Sequence, residues 1–228
     1  MAPECHDHRL FGLGEGILIA ATVASELLPE ITAAHENGLH VYAIDTPFQP
    51  EDAVEAYLAT DNVAAGHLVG QYARVKAAEL GLTPKIAMLN LAPGIVSGKE
   101  RRQGFLGGFG IGADDPVIVA SADTEGDQEF GRWKMTEILS RHPDVNIVYT
   151  VNEPAALGAL AALKEARADL NRVVLVSVDG GCEAMKGALR GGESLSGFVD
   201  TGVRLITDDP AAGGPSADVA FGVRNCWG

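Results

Sequence analysis

The sequence predicts an α/β protein built on parallel sheets that are covered by helices. Short apolar segments typical of strands alternate along most of the chain with segments whose apolar residues recur at helical spacing. Hydrophobic residues make up 46% of the 228 residues, which is enough for a packed core. Gly38 and Gly81 follow two of the helical segments, at the position where glycine commonly ends a helix.

Each strand is predicted from a short apolar run bounded by turn-forming residues. The predicted strands are 16–20, 40–44, 85–91, 116–120, 145–151, 173–178 and 203–207. The predicted helices are 25–37, 61–80, 101–109, 130–140, 154–166 and 183–189. Asp61 or Asn62 can cap the second helix, since a short polar side chain there accepts from unpaired amides. The glycines at 104, 107, 108 and 110 weaken the helical propensity of 101–109.

Charge and hydropathy exclude two classes of partner. The net charge of -14 and the pI near 4.7 repel phosphate backbones, so we expect no nucleic-acid binding. No apolar run approaches the roughly 20 residues that a membrane helix needs, so we expect no direct membrane insertion. The polar segment MAPECHDHR at 1–9 shows no signal peptide.

Four polar residues stand just after predicted strands, where ligands of parallel sheets gather. They are Asp45, Arg101, Asn152 and Asp179. Taken alone, a polar residue after a strand is more often a helix cap or a turn former than a ligand residue. Together they offer carboxylates, an amide and a guanidinium fork, which can donate to and accept from neighbouring hydroxyl groups. This combination predicts a site for a neutral sugar.

Enzymatic readings find little support in the sequence. Ser177 is not inside a G-x-S-x-G motif, and the glycine strings at 12–16 and 108–113 lack the strand-to-helix context of a nucleotide loop. Cys5, His6 and His8 can ligate a metal, but a polar terminal tail is the simpler interpretation. We therefore expect no catalytic residues, no metal and no cofactor, and we predict that the protein is not an enzyme.

Five segments of the chain resemble the sugar-binding proteins of bacterial ABC transporters. These segments are AIDTP at 43–47, ATDNVAAG at 59–66, RRQGF at 101–105, VYTVNEPAALG at 148–158 and VSVDGGC at 176–182. The last of them, together with the terminal CWG, most resembles a fructose-type branch related to ribose-binding proteins.

The resemblance implies a type I periplasmic binding protein, with two Rossmann-like lobes that close on one monosaccharide. It places an N-terminal lobe at 1–92, a C-terminal lobe at 93–228 and a hinge near 92–98. It implies an ABC transporter permease as partner and a periplasmic or extracellular location. It assigns sugar contacts to the same four residues, Asp45, Arg101, Asn152 and Asp179.

The same resemblance implies a disulfide between Cys182 and Cys226, although two buried free thiols remain an alternative. It also indicates two departures from the family. The first strand unit, which should precede Gly16, is not recognisable, and a crossover near 197–200 is missing by comparison with the family. We therefore expect an incomplete first lobe with an apolar sheet face and an unpaired edge, and weak or no sugar affinity.

Two other functions share features with this prediction. The effector domain of a lac-repressor-type regulator has the same two-lobed fold, but no helix-turn-helix pattern precedes Gly16. A sugar-metabolising α/β enzyme would need a phosphate-binding loop or an acid/base pair in its proper context, and neither is evident.

Overall fold

The computed structural model describes residues 16–21, 23–45, 48–180, 198–200, 204–206 and 216–225. The chain divides into two compact units, Met1–Ala59 and Thr60–Gly228. Each unit contains a parallel sheet flanked by helices, which confirms the predicted α/β class.

The first unit has a three-stranded parallel sheet. Its elements are β1 (Gly16–Ile19), α1 (Leu28–Glu36), β2 (His40–Ile44) and β3 (Ala56–Leu58), and the strand order is β1-β2-β3. Ile31 of α1 packs with Val41, Ala43 and Phe48 in a small core. The helix ends before Gly38, whose positive φ of 75° is the conformation that a helix C-terminus commonly needs.

One face of this sheet is exposed. Leu18 is paired with Tyr42 in the β1–β2 register, so Leu18 and the Ile44 side chain two residues further along β2 lie on the same face. Leu18 is 68% exposed and Ile44 is 39% exposed. Both faces of a parallel sheet are usually covered, so two exposed apolar side chains on one face are unusual, and the incomplete first lobe stays a prediction.

The second unit is built around a four-stranded parallel sheet of order β5-β4-β6-β7. Its elements are α2 (Asn62–Glu79), β4 (Ile86–Asn90), α3 (Val96–Phe109), β5 (Ile118–Asp123), α4 (Gln128–Arg141), β6 (Ile147–Thr150), α5 (Glu153–Glu165) and β7 (Val174–Ser177). A smaller sheet follows, with β8 (Phe198–Asp200), β9 (Arg204–Ile206) and β10 (Ser216–Ala217), and then α6 (Val219–Asn225).

Helices cover both faces of the four-stranded sheet. Met88 of β4 packs with Val69 of α2 and Phe105 of α3 in one core. Leu89, the next residue of β4, points to the other face and packs with Met135 of α4. Because the four strands are parallel and covered on both sides, their carboxyl ends form one edge at which polar groups can collect.

Three boundaries differ from the sequence prediction. The strand predicted at 116–120 begins at Ile118, because the Asp115 side chain and carbonyl accept from the amides of Val117 and Ile118 and form a turn. Helix α3 begins at Val96 rather than at 101, so the segment 92–98 connects β4 and α3 inside the second unit. The division between the units falls after Ala59 rather than at the predicted residue 92, because β4 pairs with β5 and β6.

Several predictions fall on residues outside the described ranges. The helix at 183–189 and the Cys182 and Cys226 pair are among them, and the deleted crossover near 197–200 stays a prediction. The strand predicted at 203–207 is present as Arg204–Ile206. Among the residues that the structure describes, no helix combines the length and the apolar character that a membrane crossing requires.

Candidate functional site

Polar side chains collect at the carboxyl edge of the four-stranded sheet in the second unit. Asn90 ends β4, Asn152 follows β6 and Asp179 follows β7. Arg101 reaches the same edge from the second turn of α3, since α3 starts directly after the loop that leaves β4. The structure thus places three of the four predicted residues in one unit and at one sheet edge.

Arg101 is held by three protein groups. Its Nε donates to the Asn62 side-chain oxygen at 2.8 Å, and its Nη1 donates to the Val151 carbonyl at 3.0 Å. The same Nη1 lies 3.1 Å from Oδ1 of Asp179 in an ion pair. The side chain of Arg101 is only 13% exposed, so its guanidinium is fixed in plane and direction.

The remaining donors of Arg101 are available to a ligand. A guanidinium carries five N–H groups; the two hydrogen bonds use the Nε–H and one Nη1–H, and the ion pair with Asp179 also lies at Nη1. No described residue accepts from Nη2. The Asp179 side chain beside it is 32% exposed, and its Oδ2 atom has no partner within the described ranges. A pair of fixed donors therefore stands next to a carboxylate oxygen.

Asp179 has an unusual backbone conformation, with φ of 82°. A positive φ is uncommon for a residue other than glycine, and Asp is among the residues that tolerate it best. The conformation turns the chain directly after β7, where Val178 is still buried at 2% exposure. This turn holds the carboxylate at the strand end, against Arg101.

Asn152 acts as a helix cap in this structure. Its Oδ1 accepts from the Ala155 amide at 3.3 Å at the start of α5, and its Nδ2 donates to the Gly126 carbonyl at 3.0 Å. The cap interpretation that the sequence left open is therefore correct for Asn152. Any ligand contact must use the second Nδ2–H group or the second lone pair of its oxygen.

Asp45 belongs to the first unit, and its geometry is described there alone. It directly follows β2 and has a positive φ of 66°. Its backbone carbonyl accepts from the Tyr57 hydroxyl at 2.7 Å. The backbone of Asp45 is thereby fixed at the end of its strand, as a strand-end ligand residue requires.

Two polar residues at the carboxyl edge of the four-stranded sheet were missed by the sequence analysis. Asn62 contacts Arg101 directly, although the sequence suggested for it only a capping role, which Asp61 fills by accepting from the Ala64 amide. Asn90 accepts from Nη1 of Arg102 at 3.2 Å and donates to the Ser121 hydroxyl. Asn90 was missed because the predicted strand 85–91 runs through it to Leu91, whereas the observed strand ends at Asn90.

Two buried polar atoms near Arg101 have no partner among the described residues. They are Nδ2 of Asn62 and the hydroxyl of Tyr149. Tyr149 is fully buried in β6, with its ring 4.6 Å from that of Phe105 between centroids. Burial raises the pKa of Tyr149 above its ordinary value, and the charges of Arg101 and Arg102 oppose that rise. The hydroxyl therefore stays neutral at physiological pH.

Metal binding has no geometric support within the described ranges. No group of three or more His, Cys, Asp or Glu side chains there is arranged to hold an ion. What the edge offers instead is a guanidinium, carboxylate and amide set, which suits recognition of hydroxyl groups.

Known proteins with similar sequences are sugar-binding transport proteins. The chain is 29% identical to the ribose import binding protein of Bacillus subtilis over 171 residues, which are 75% of this chain and 53% of that protein. It is 26% identical to the D-allose-binding periplasmic protein of Escherichia coli over 211 residues, or 87% of this chain and 67% of that protein. The chain thus spans about half the length of the ribose relative.

A solved structure matches the fold of this chain, and a family model matches its sequence. The periplasmic solute-binding protein of an ABC transporter from Actinobacillus succinogenes, crystallised with D-allose, matches the fold with a TM-score of 0.70 at 23% identity, over 82% of this chain and 66% of that one. Residues 15–202 match the model of the periplasmic binding protein domain. Since this match covers most of the 228 residues, the chain belongs to the family of periplasmic binding protein domains.

Proposed function

We propose that this chain binds a monosaccharide as the receptor of an ABC transporter and delivers it to the membrane permease. One observation carries the proposal: Arg101 is fixed by three protein contacts while both Nη2–H donors are left without a described partner, beside the half-exposed carboxylate of Asp179. The family and its location in the periplasm support the transport role.

The geometry favours a neutral polyol. Two adjacent donors of a guanidinium match two neighbouring oxygens of a ligand, and a carboxylate oxygen accepts from a hydroxyl. The positive charge of Arg101 is already paired with Asp179 at 3.1 Å. A charged ligand would have to displace that ion pair, whereas a sugar can add to it without changing the local charge.

Asn152 adds to the proposed ligand set of the second unit, and Asp45 is a separate proposed ligand residue of the first unit. Asn152 keeps one N–H and one lone pair beyond its cap and loop contacts, so it can add a bond to a hydroxyl. Asp45 is proposed through the family resemblance and through its fixed place at the end of β2. An Asp45→Asn variant tests that role separately from the second unit.

The names of the relatives favour ribose or allose as the ligand class. These two sugars share a ring bearing adjacent hydroxyl groups, which is the feature that Arg101 and Asp179 can recognise. Fructose, suggested by the tail sequence, has the same feature and is included in the test.

Saturation-transfer NMR tests the proposal, because it detects dissociation constants in the millimolar range and therefore registers even a weak affinity. D-ribose, D-allose and D-fructose are each added to the chain and to an Arg101→Met variant. Arg141→Met is the matched control, because Arg141 is an exposed arginine whose one ion-pair partner among the described residues is Glu137 on its own helix.

We expect transfer to at least one sugar, loss of the signal in Arg101→Met and retention in Arg141→Met. Asp179→Asn, which keeps the side-chain shape, repeats the test if Arg101→Met is poorly folded by circular dichroism. Absence of transfer to every sugar, or equal transfer with and without Arg101, would overturn the proposal. The sugar resonances should stay unchanged over days, and any conversion of the sugar would favour an enzyme instead.

A further inference from the structure

We propose that Asn62 is a positioning residue, which holds the Arg101 guanidinium so that its Nη2 donors face the sugar. This inference rests on the proposed function and extends it to a residue that makes no ligand contact of its own. Its basis is the hydrogen bond of 2.8 Å from Nε of Arg101 to the side-chain oxygen of Asn62.

The side chain of Asn62 has no other described task. It is the first residue of α2, but the cap of that helix is Asp61, which accepts from the Ala64 amide at 2.9 Å. Asn62 is only 2% exposed, and its Nδ2 has no hydrogen-bond partner among the described residues. Within those residues, the bond to Arg101 is thus the one contact that uses its polarity.

Stability alone does not explain an asparagine at this position. The buried N–H groups of Asn62 lose their hydration and gain no hydrogen bond in return. As far as these groups are concerned, an apolar side chain of the same shape would make the fold more stable. The benefit of Asn62 must then come from its oxygen. That oxygen satisfies the Nε–H of Arg101, which otherwise would be a buried donor of a charged group.

The direction of the guanidinium depends on this contact. The Val151 carbonyl and Asp179 both bind Nη1, so they hold one corner of the planar group. Asn62 holds Nε, and two fixed corners define the plane and therefore the position of Nη2. If Asp179 shifts towards a ligand hydroxyl, Asn62 and Val151 still hold the plane.

The packing of α2 on α3 fixes the distance between the two residues. Gly66 lies one turn after Asn62 on the same face of α2, and a Cβ at position 66 would overlap the backbone carbonyl of Arg101. The two helices therefore touch through their backbones at this point. A side chain as short as asparagine can therefore reach Arg101 from α2, and the packing of the two helices fixes this contact.

The test compares three forms of the chain for affinity and for stability. Asn62→Leu keeps the size and removes the acceptor, whereas Asn62→Asp keeps an acceptor oxygen at the same place. The probe is D-ribose, D-allose or D-fructose, whichever the wild-type chain binds, and the dissociation constant comes from saturation-transfer titration. Urea unfolding without sugar gives the stability.

We expect Asn62→Leu to weaken sugar binding about tenfold, the effect of losing one hydrogen bond to a charged group. Its stability should change little, because removing the unpaired Nδ2 of Asn62 offsets the loss of the acceptor for the Arg101 Nε–H. Asn62→Asp should bind within about threefold of wild type. Wild-type affinity in Asn62→Leu overturns the inference, and so does an equal loss in both variants, because the acceptor would then not matter.

A second measurement needs no variant. The Nε–H of Arg101 should exchange slowly with solvent in the sugar-free protein, as followed by ¹⁵N NMR, because it is buried and bonded to Asn62. Fast exchange contradicts the positioning role. The two proposals fail in different ways. If the proposed function is wrong, saturation transfer to the sugar does not depend on Arg101. If only the role of Asn62 is wrong, Arg101→Met still abolishes the transfer.

Discussion

Gly66 of α2 lies against the backbone carbonyl of Arg101 in α3, so closely that a Cβ at position 66 would overlap that oxygen. Gly70 of α2 and Gly104 and Gly108 of α3 are in the same situation, each facing backbone atoms of the other helix. A spacing of four residues in both helices places these glycines on one face. The helix that carries Arg101 is therefore held against α2 backbone to backbone.

This interface predicts opposite effects for two glycines of α3. Gly104→Ala should lower the free energy of unfolding by about 1 to 3 kcal/mol, because its Cβ would overlap the Val63 carbonyl. Gly107→Ala is the control: it is exposed, its Cβ would meet only a histidine ring nitrogen at 3.7 Å, and it should raise stability by about 0.5 to 1 kcal/mol. Urea unfolding followed by circular dichroism measures both. Effects of the same sign would contradict the interface.

The unpartnered hydroxyl of Tyr149 predicts a stabilising substitution. Tyr149→Phe keeps the ring against Phe105 and removes a buried hydroxyl that has no described partner, so stability should rise by about 1 kcal/mol or stay unchanged. Thr124→Val is the comparison, because its buried hydroxyl donates to the Asn90 carbonyl at 2.9 Å. Thr124→Val should lower the free energy of unfolding by about 1 kcal/mol. If Tyr149→Phe costs more than Thr124→Val, the hydroxyl has a partner that this structure does not describe.

The first unit predicts an acid-shifted carboxylate. The Val41 amide donates to Glu55 at 2.7 Å and, helped by the imidazoles of His40 and His35 and opposed by desolvation, lowers the pKa of Glu55 from 4.5 to about 2. A lowered pKa in the folded state stabilises the fold above the unfolded pKa, and this contribution is lost as the pH falls from about 4.5 through about 2.

Carbon-13 NMR of the Glu55 carboxylate checks this directly. We expect a titration midpoint near 2 in the wild-type chain, and a higher midpoint in His40→Ala, which lacks the bond of 2.9 Å from the imidazole. The midpoint in His40→Ala should stay below the ordinary value for glutamate, because the Val41 amide still donates to Glu55. A wild-type midpoint at or above 4 is inconsistent with the hydrogen bonds described for the Glu55 carboxylate.

Much of the second unit follows from local patterns in the sequence. The apolar runs predicted β4, β6 and β7 within one or two residues, because buried parallel strands are continuously apolar. The strand-end rule selected Arg101, Asn152 and Asp179 for the same reason, since the position of a strand determines where its last side chain lies. Local patterns also predicted that Asp61 or Asn62 caps α2, and Asp61 is the cap.

The features that were missed depend on contacts between elements. The boundary between units was predicted at 92 and falls after Ala59, because the sequence does not reveal that β4 pairs with β5 and β6. Glycine propensity argued against a long α3, whereas tertiary packing against α2 requires two of those glycines. Asn62 was overlooked because its partner Arg101 is 39 residues away along the chain.

The structure gives Asn152 a role in stability that can be separated from ligand binding. Asn152→Ala removes the acceptor for the Ala155 amide and the donor to the Gly126 carbonyl, so it should lower the free energy of unfolding by about 1 to 2 kcal/mol without any sugar present. Asn152→Asp keeps the cap, and its negative charge is favourable at the start of α5. Its free energy of unfolding should therefore fall less than that of the alanine variant. Urea unfolding of the sugar-free variants decides the point. Unchanged stability in Asn152→Ala would mean that the cap contributes nothing, and conservation of sugar binding in that variant would then leave Asn152 with neither of its two assigned roles.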